Sequence, residues 1–255
     1  VVGTDATNEI RFEPNLNGVF LRVVMGIVDE STLGVAVMDT NPHLTYQSST
    51  VPQPTRDLSL GDPRGIAWTS DGARGYVTGM GSNNVAVFNA AGARIGTPIE
   101  VGEGPTGIAI DDAGNRAFVV NKFDASVSTI DLGAGAEVSR VAFHDPSPLA
   151  IKTGRKHLYD THANSGLGHI SCASCHVDAR TDRLGWDLGD PAGVVESSGG
   201  QNLGMSLPGL NVGFEDFHPM KGPMTTQTFQ DIIGNEPFHW RGGPRRPRGF
   251  PPGVP

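Results

Sequence analysis

A chain of 255 residues is long enough to bury a core and has room for one or two domains. Its apolar residues, 37% of the total, are dispersed, and no run of about 18 of them occurs, which argues against a membrane span. A formal charge of -8 argues against a nucleic-acid surface.

Thirty-five glycines and 19 prolines predict many tight turns between short strands. The chain opens on Val1-Val2 with no charged stretch followed by an apolar one, so a leader is expected to have been removed or to lie outside this segment. Val19–Val24 and Leu33–Asp39 read as strands of an irregular first blade. The connection from Asn41 to Asp62 is rich in Ser, Thr and Pro and is expected to run as an exposed loop.

An internal repeat follows. Pro63-Arg64-Gly65-Ile66-Ala67-Trp68 recurs 42 residues later as Pro105-Thr106-Gly107-Ile108-Ala109-Ile110. The same shift maps Gly72 on Gly114, Arg74 on Arg116, Tyr76-Val77 on Phe118-Val119, Val85 on Val127 and Asn89 on Asp131. Each copy holds four short apolar runs divided by turn residues. In the second copy these are Ile108–Ile110, Ala117–Val120, Val127–Ile130 and Glu137–Val141; Ile95–Val101 closes the first copy. Four strands in about 42 residues is the size of a β-propeller blade. About three blades are expected over residues 1–144, with Tyr76 and Phe118 in blade core. A closed ring needs at least about four, so the segment is expected to begin inside a repeat array of a longer chain.

The texture changes near residue 145. Ser147-Pro148 suits a helix N-cap followed by Pro at the first helical position, and predicts a helix over Leu149–Tyr159. Residues 145–242 read as a mainly α, loop-rich domain, and residues 243–255 as a Gly/Pro/Arg-rich tail. The fold class is therefore mixed: all-β propeller blades, then a helical cofactor domain.

Both cysteines sit in Cys172-Ala173-Ser174-Cys175-His176, the attachment signature of one covalent haem c. Two thiols three residues apart reach the two vinyl groups, and the following imidazole of His176 points at the iron. A thioredoxin-like redox pair would want a βαβ context, and a zinc site needs four ligands where no second Cys pair exists. Attachment needs reduced thiols on a chain delivered across a membrane, so a periplasmic or extracellular location is expected.

Low-spin haem takes a Met or a second His as sixth ligand; His218, Met220, Met224 and an open position all remain candidates. His157, His162 and His169 are not assigned to iron, and His162 and His169 are read as solvent-exposed. Arg155 suits a haem propionate as well as an exposed helix face.

Gly154–Asp160 and Gly168–His176 resemble the first haem segment of bacterial di-haem cytochrome c peroxidases and their MauG-like relatives. The resemblance continues through Lys221-Gly222-Pro223-Met224 into Thr225–Thr228 and ends at Phe238-His239-Trp240-Arg241-Gly242. It implies a displaceable distal ligand in His218, a tryptophan beside the haem in Trp240, and bacterial electron transfer with peroxidase-like descent. Implied partners are an electron-donor protein or small redox partner and hydrogen peroxide. The upstream repeats are similar to the YVTN family of seven-bladed propellers. Two family features do not occur here: a second CxxCH, and a helix with a catalytic carboxylate after the tryptophan.

Overall fold

The computed structural model describes residues 1–6, 21–46, 48, 50–187, 223–232 and 234. Strands β1 (Val2–Ala6), β2 (Leu21–Val28) and β3 (Val35–Asp39) form a three-stranded antiparallel sheet in sequence order. After a one-turn helix α1 (Gln53–Arg56) come two four-stranded antiparallel sheets. The first is β4 (Pro63–Trp68), β5 (Arg74–Gly79), β6 (Asn84–Asn89) and β7 (Arg94–Glu100). The second is β8 (Pro105–Asp111), β9 (Arg116–Asn121), β10 (Ser126–Asp131) and β11 (Ala136–Ala142).

The repeat is kept residue for residue. Strands starting at 63, 74, 84 and 94 recur at 105, 116, 126 and 136, each 42 residues on. Turn chemistry explains the recurrence of Asn89 as Asp131. Asn89 Oδ1 accepts from the amides of Ala91 and Ala93, and Asp131 Oδ1 from those of Gly133 and Ala134, so each side chain closes the turn leading to its outermost strand. The sheets also touch at equivalent positions: the Ser70 amide donates to Asp112 Oδ2 at 3.0 Å, across a sequence separation of 42. Three antiparallel sheets arranged this way are consistent with propeller blades.

Alternation along the strands builds two apolar seams. Val23 and Met25 of β2 pack with Leu60, Val77, Ala86 and Phe88. On the other face of the middle sheet, Tyr76, Val85 and Ile99 pack with Ala117, Val119 and Ile130. The outer face of the third sheet has no neighbour among the described residues. There Phe118, the repeat-equivalent of Tyr76, is 40% exposed where Tyr76 is 2%. This corrects the expectation that both rings lie in blade core. They share strand position, but only one has a sheet stacked on it.

The 41–62 connection is also not an exposed loop. Asn41, Ser59 and Leu60 are fully buried, and Leu44 packs on Leu167. Its polar composition serves hydrogen bonding inside rather than solvation outside.

Beyond residue 145 the helix α2 spans Leu149–Tyr159 as expected. Pro148 is its N-cap, and Ser147 instead accepts from Arg155. Single-turn helices α3 (Thr161–Asn164) and α4 (Cys172–Cys175) follow, then a 3₁₀ turn at Val177–Ala179. A two-stranded ribbon joins β12 (Gly185–Asp187) to β13 (Pro223–Thr225). No helical cytochrome domain is evident among the described residues. The physical reason is the lack of a helical core: no residue of α2 is fully buried, and the other helices are single turns. Nor is any described helix long and apolar enough to cross a membrane.

The seams predict unequal costs for equivalent residues. Tyr76→Ala is expected to destabilise by about 3 kcal/mol or more, and Phe118→Ala by about 1 kcal/mol or less. Urea unfolding followed by circular dichroism measures both; equal losses would mean that a further surface covers Phe118.

Candidate haem-attachment site

The segment after residue 145 is built onto the first four-stranded sheet. The Thr161 amide donates to Gly81 O at 2.8 Å, in the turn between β5 and β6. A Cβ at Gly81 would lie 2.6 Å from Thr161 Cγ2 and 2.8 Å from Tyr159 O, so only glycine permits this approach. Arg155 ties the segment to the second four-stranded sheet as well: it donates to Phe123 O in the β9–β10 turn at 2.7 Å, to Asp145 Oδ2 at 3.1 Å and to Ser147 Oγ at 2.8 Å. These bonds turn both terminal nitrogens of its guanidinium toward protein groups.

The 41–62 connection supports the other side. Ser59 Oγ donates to Leu167 O at 2.8 Å, and the His162 Nε2–H donates to Ser59 O at 2.9 Å. His169, expected at the surface, is 1% exposed, and its Nε2–H donates to Leu21 O at 2.9 Å. His162 is partly buried. Burial holds the His169 pKa below the ordinary histidine value, against the opposing pull of the Leu21 carbonyl and Asp39. His43 is lowered in the same direction, first by burial and then by the Arg94 charge.

On this support sits the Cys172–Cys175 turn. Both thiols are free, Cys172 exposed and Cys175 half-buried. The pKa of Cys175 is pushed up to about 11, by burial first and then by the charges of Asp182 and Asp62. The His176 amide closes the turn on Cys172 O at 2.9 Å. The imidazole lies flat against Phe229, with centroids 3.7 Å apart, and Nδ1 is 2.7 Å from Gln227 O. A carbonyl can only accept, so Nδ1 carries the proton and neutral His176 keeps its lone pair on Nε2. Among the described residues Nε2 has no hydrogen-bond partner.

The chemistry of this donor set fits a covalent haem. Two unpaired thiols stand one helical turn apart, and the next imidazole is oriented by a backbone carbonyl, as iron-ligating histidines are. Among the described residues no cluster of three or more His, Cys, Asp or Glu converges on one point. His218, Met220 and Trp240 lie outside the described residues, as does the side chain of Met224, whose backbone pairs with Trp186 in the ribbon.

Sequence reading missed the group beneath the turn. Asp62, 6% exposed, accepts from Ser171 Oγ at 2.9 Å on Oδ2 and from Ser174 Oγ at 2.6 Å on Oδ1. Burial raises its pKa, and the bonds from Ser174 and Ser171 pull it back down. Gln227 and Phe229 were missed as well, because their contacts with His176 span about 50 residues of sequence.

No protein-family model matches the chain, and no curated protein does. Solved structures similar to it include hydrazine synthase from Kuenenia stuttgartiensis, at 25% identity and TM-score 0.37, covering 50% of this chain and 34% of that one. A functionally unknown protein from Desulfotomaculum acetoxidans gives 18%, TM-score 0.37, and 56% and 42% coverage. Apo AztD from Citrobacter koseri gives 12%, TM-score 0.34, and 48% and 29% coverage. The chain thus spans less than half the length of each. TM-scores this low carry no argument about function.

The buried histidines set a pH dependence. A folded-state pKa below the unfolded value of 6.5 means that the unfolded chain binds protons more readily. The contribution of His169 is therefore fully present above pH 6.5 and is lost as pH falls through the lowered folded pKa. The urea midpoint is expected to fall on going from about pH 7 to about pH 5. His169→Gln should flatten that slope, leaving the part due to His43; an unchanged slope would contradict the assignment.

Proposed function

We propose that this chain is a c-type cytochrome module carried on β-propeller blades and related in descent to di-haem peroxidases. The observation that carries the reading is the His176 imidazole, held through Nδ1 by Gln227 O beside two free thiols. Cys172 and Cys175 hold the haem and His176 ligates its iron. When bound, the haem supplies one-electron exchange at iron. His218 is the proposed distal ligand and Trp240 the aromatic neighbour, as the resemblance implies.

The chain's own part is to bind and orient. Cys172 and Cys175 would hold the haem through thioether bonds, each S–H and vinyl π bond giving way to a C–S bond and a C–H bond on the neighbouring carbon. No external oxidant or reductant is consumed. Burial and the charges of Asp182 and Asp62 favour the protonated thiol at Cys175. Gln227 O fixes the tautomer that leaves Nε2 for iron, and Phe229 holds the ring plane.

The proposed setting is a bacterial periplasm or extracellular space, where covalent haem is matured. The proposed partners are an electron-donor protein or small redox partner, with hydrogen peroxide as oxidant where a second haem completes the peroxidase arrangement.

The test is mass spectrometry of protein co-expressed with a haem-maturation system. A mass increment of one haem that survives acid-acetone extraction is expected, and Cys175→Ala should leave at most one thioether bond. A chain whose haem is fully extracted, with no increment left, would overturn the proposal.

A further inference from the structure

Asp62 stands where the repeat has glycine. At the 42-residue shift it maps on Gly104, and both positions take a left-handed backbone, with φ of +46° and +69°. Glycine adopts that conformation without steric cost; an aspartate there is strained. The second copy thus avoids the strain, and the first keeps it together with a carboxylate that is costly to bury. That carboxylate accepts two side-chain hydrogen bonds, one from Ser174 inside the attachment motif and one from Ser171 just before it.

The two bonds bracket the turn. Ser171 is the N-cap of α4, immediately before Cys172, and Ser174 immediately precedes Cys175. Ser174 Oγ donates to Asp62 Oδ1 while accepting from the Ser171 amide at 2.9 Å, so the carboxylate closes a ring through both ends of α4. A four-residue helix has one turn of backbone bonding and is not stable alone. Its geometry has to be imposed from outside.

Resting on the haem reading above, we propose that Asp62 is the positioning residue of the attachment motif. Its carboxylate, delivered by the propeller, orders the Ser171–Cys175 turn before attachment and thereby directs Cys172 and Cys175 to separate vinyl groups. The blade is then part of the haem-maturation site.

The test compares Asp62→Gly, Asp62→Asn and the double variant Ser171→Ala/Ser174→Ala with the parent chain. Glycine suits the left-handed backbone, so the first variant removes the carboxylate without adding strain. Asparagine loses the charge but can still accept from one hydroxyl and donate to the other. Without haem, iodoacetamide labelling of half-buried Cys175 is expected to be about tenfold faster in D62G and in the double variant, from the loss of the two hydrogen bonds that hold the turn closed. D62N should stay near the parent rate. After co-expression with the maturation system, D62G should carry a larger share of chains with a single thioether, visible as a longer-wavelength α-band in the pyridine haemochrome, and D62N should again resemble the parent.

Equal labelling in all four proteins, or complete double attachment in D62G, would overturn the proposal. Equal acceleration in D62G and D62N would overturn it too, since it would assign the effect to charge alone. Should the parent take up no haem, the proposed function falls and the maturation role with it. Should the parent take up haem while D62G matures normally, only the role of Asp62 falls.

Discussion

The rest of the structure depends on the stacking of sheet faces at the middle blade. Strand alternation gives that sheet two apolar faces, and each needs cover: Val77, Ala86 and Phe88 against β2, and Tyr76, Val85 and Ile99 against β9 and β10. Because the side-chain period is two, a one-residue slip in β5 would exchange Tyr76 for Val77 and expose both seams at once. The same logic leaves the third sheet half-covered. Val141 is 68% exposed, whereas its repeat-equivalent Ile99 is 5% exposed. The difference is in what lies alongside, since the strand itself repeats.

The contact between blades and attachment segment is of another kind. It is largely polar and buried, built from Ser59, His162, Thr161, Asp62 and the serines of the motif. Arg94 braces the 41–62 connection that carries part of it, donating to Thr40 O at 3.1 Å and to Leu58 O. Polar groups at such depth must find specific partners, so the interface tolerates few alternative dockings. An apolar seam stabilises in proportion to area. This polar one sets the position of the Cys172–His176 turn on the blades.

Much of the fold was legible because repetition amplifies weak signals. A single Ile-Ala-Trp run says little, but its return as Ile-Ala-Ile with the turn residues Asn89 and Asp131 in step places four strands at once. The attachment motif was legible because its spacing is chemical. Exposure was not: whether Phe118 is core depends on a neighbouring sheet, and sequence reading treated both copies alike. His169 and the 41–62 connection were misjudged for a related reason. Polar residues look solvated unless their partners are known, and those partners lie far along the chain, as with His169 and Leu21 across 148 residues. The readable trace of Asp62 was the break in the repeat, where aspartate replaces the glycine of the second copy.

The electrostatics of the turn bear directly on the form of the second thiol, Cys175. A dithiol that exchanges disulfides works through a thiolate, and such sites lower a thiol's pKa with a helix N-terminus or nearby cations. Here the neighbours are Asp62 and Asp182, and burial and negative charge push Cys175 upward to about 11. At neutral pH a thiol with that pKa is an unreactive nucleophile toward disulfides. It also remains the protonated S–H that addition to a vinyl group consumes. Burial and the acidic groups beside the turn therefore favour the protonated form of Cys175. Asp62 meets that turn through geometry, its two oxygens accepting from Ser171 and Ser174 on either side of Cys172.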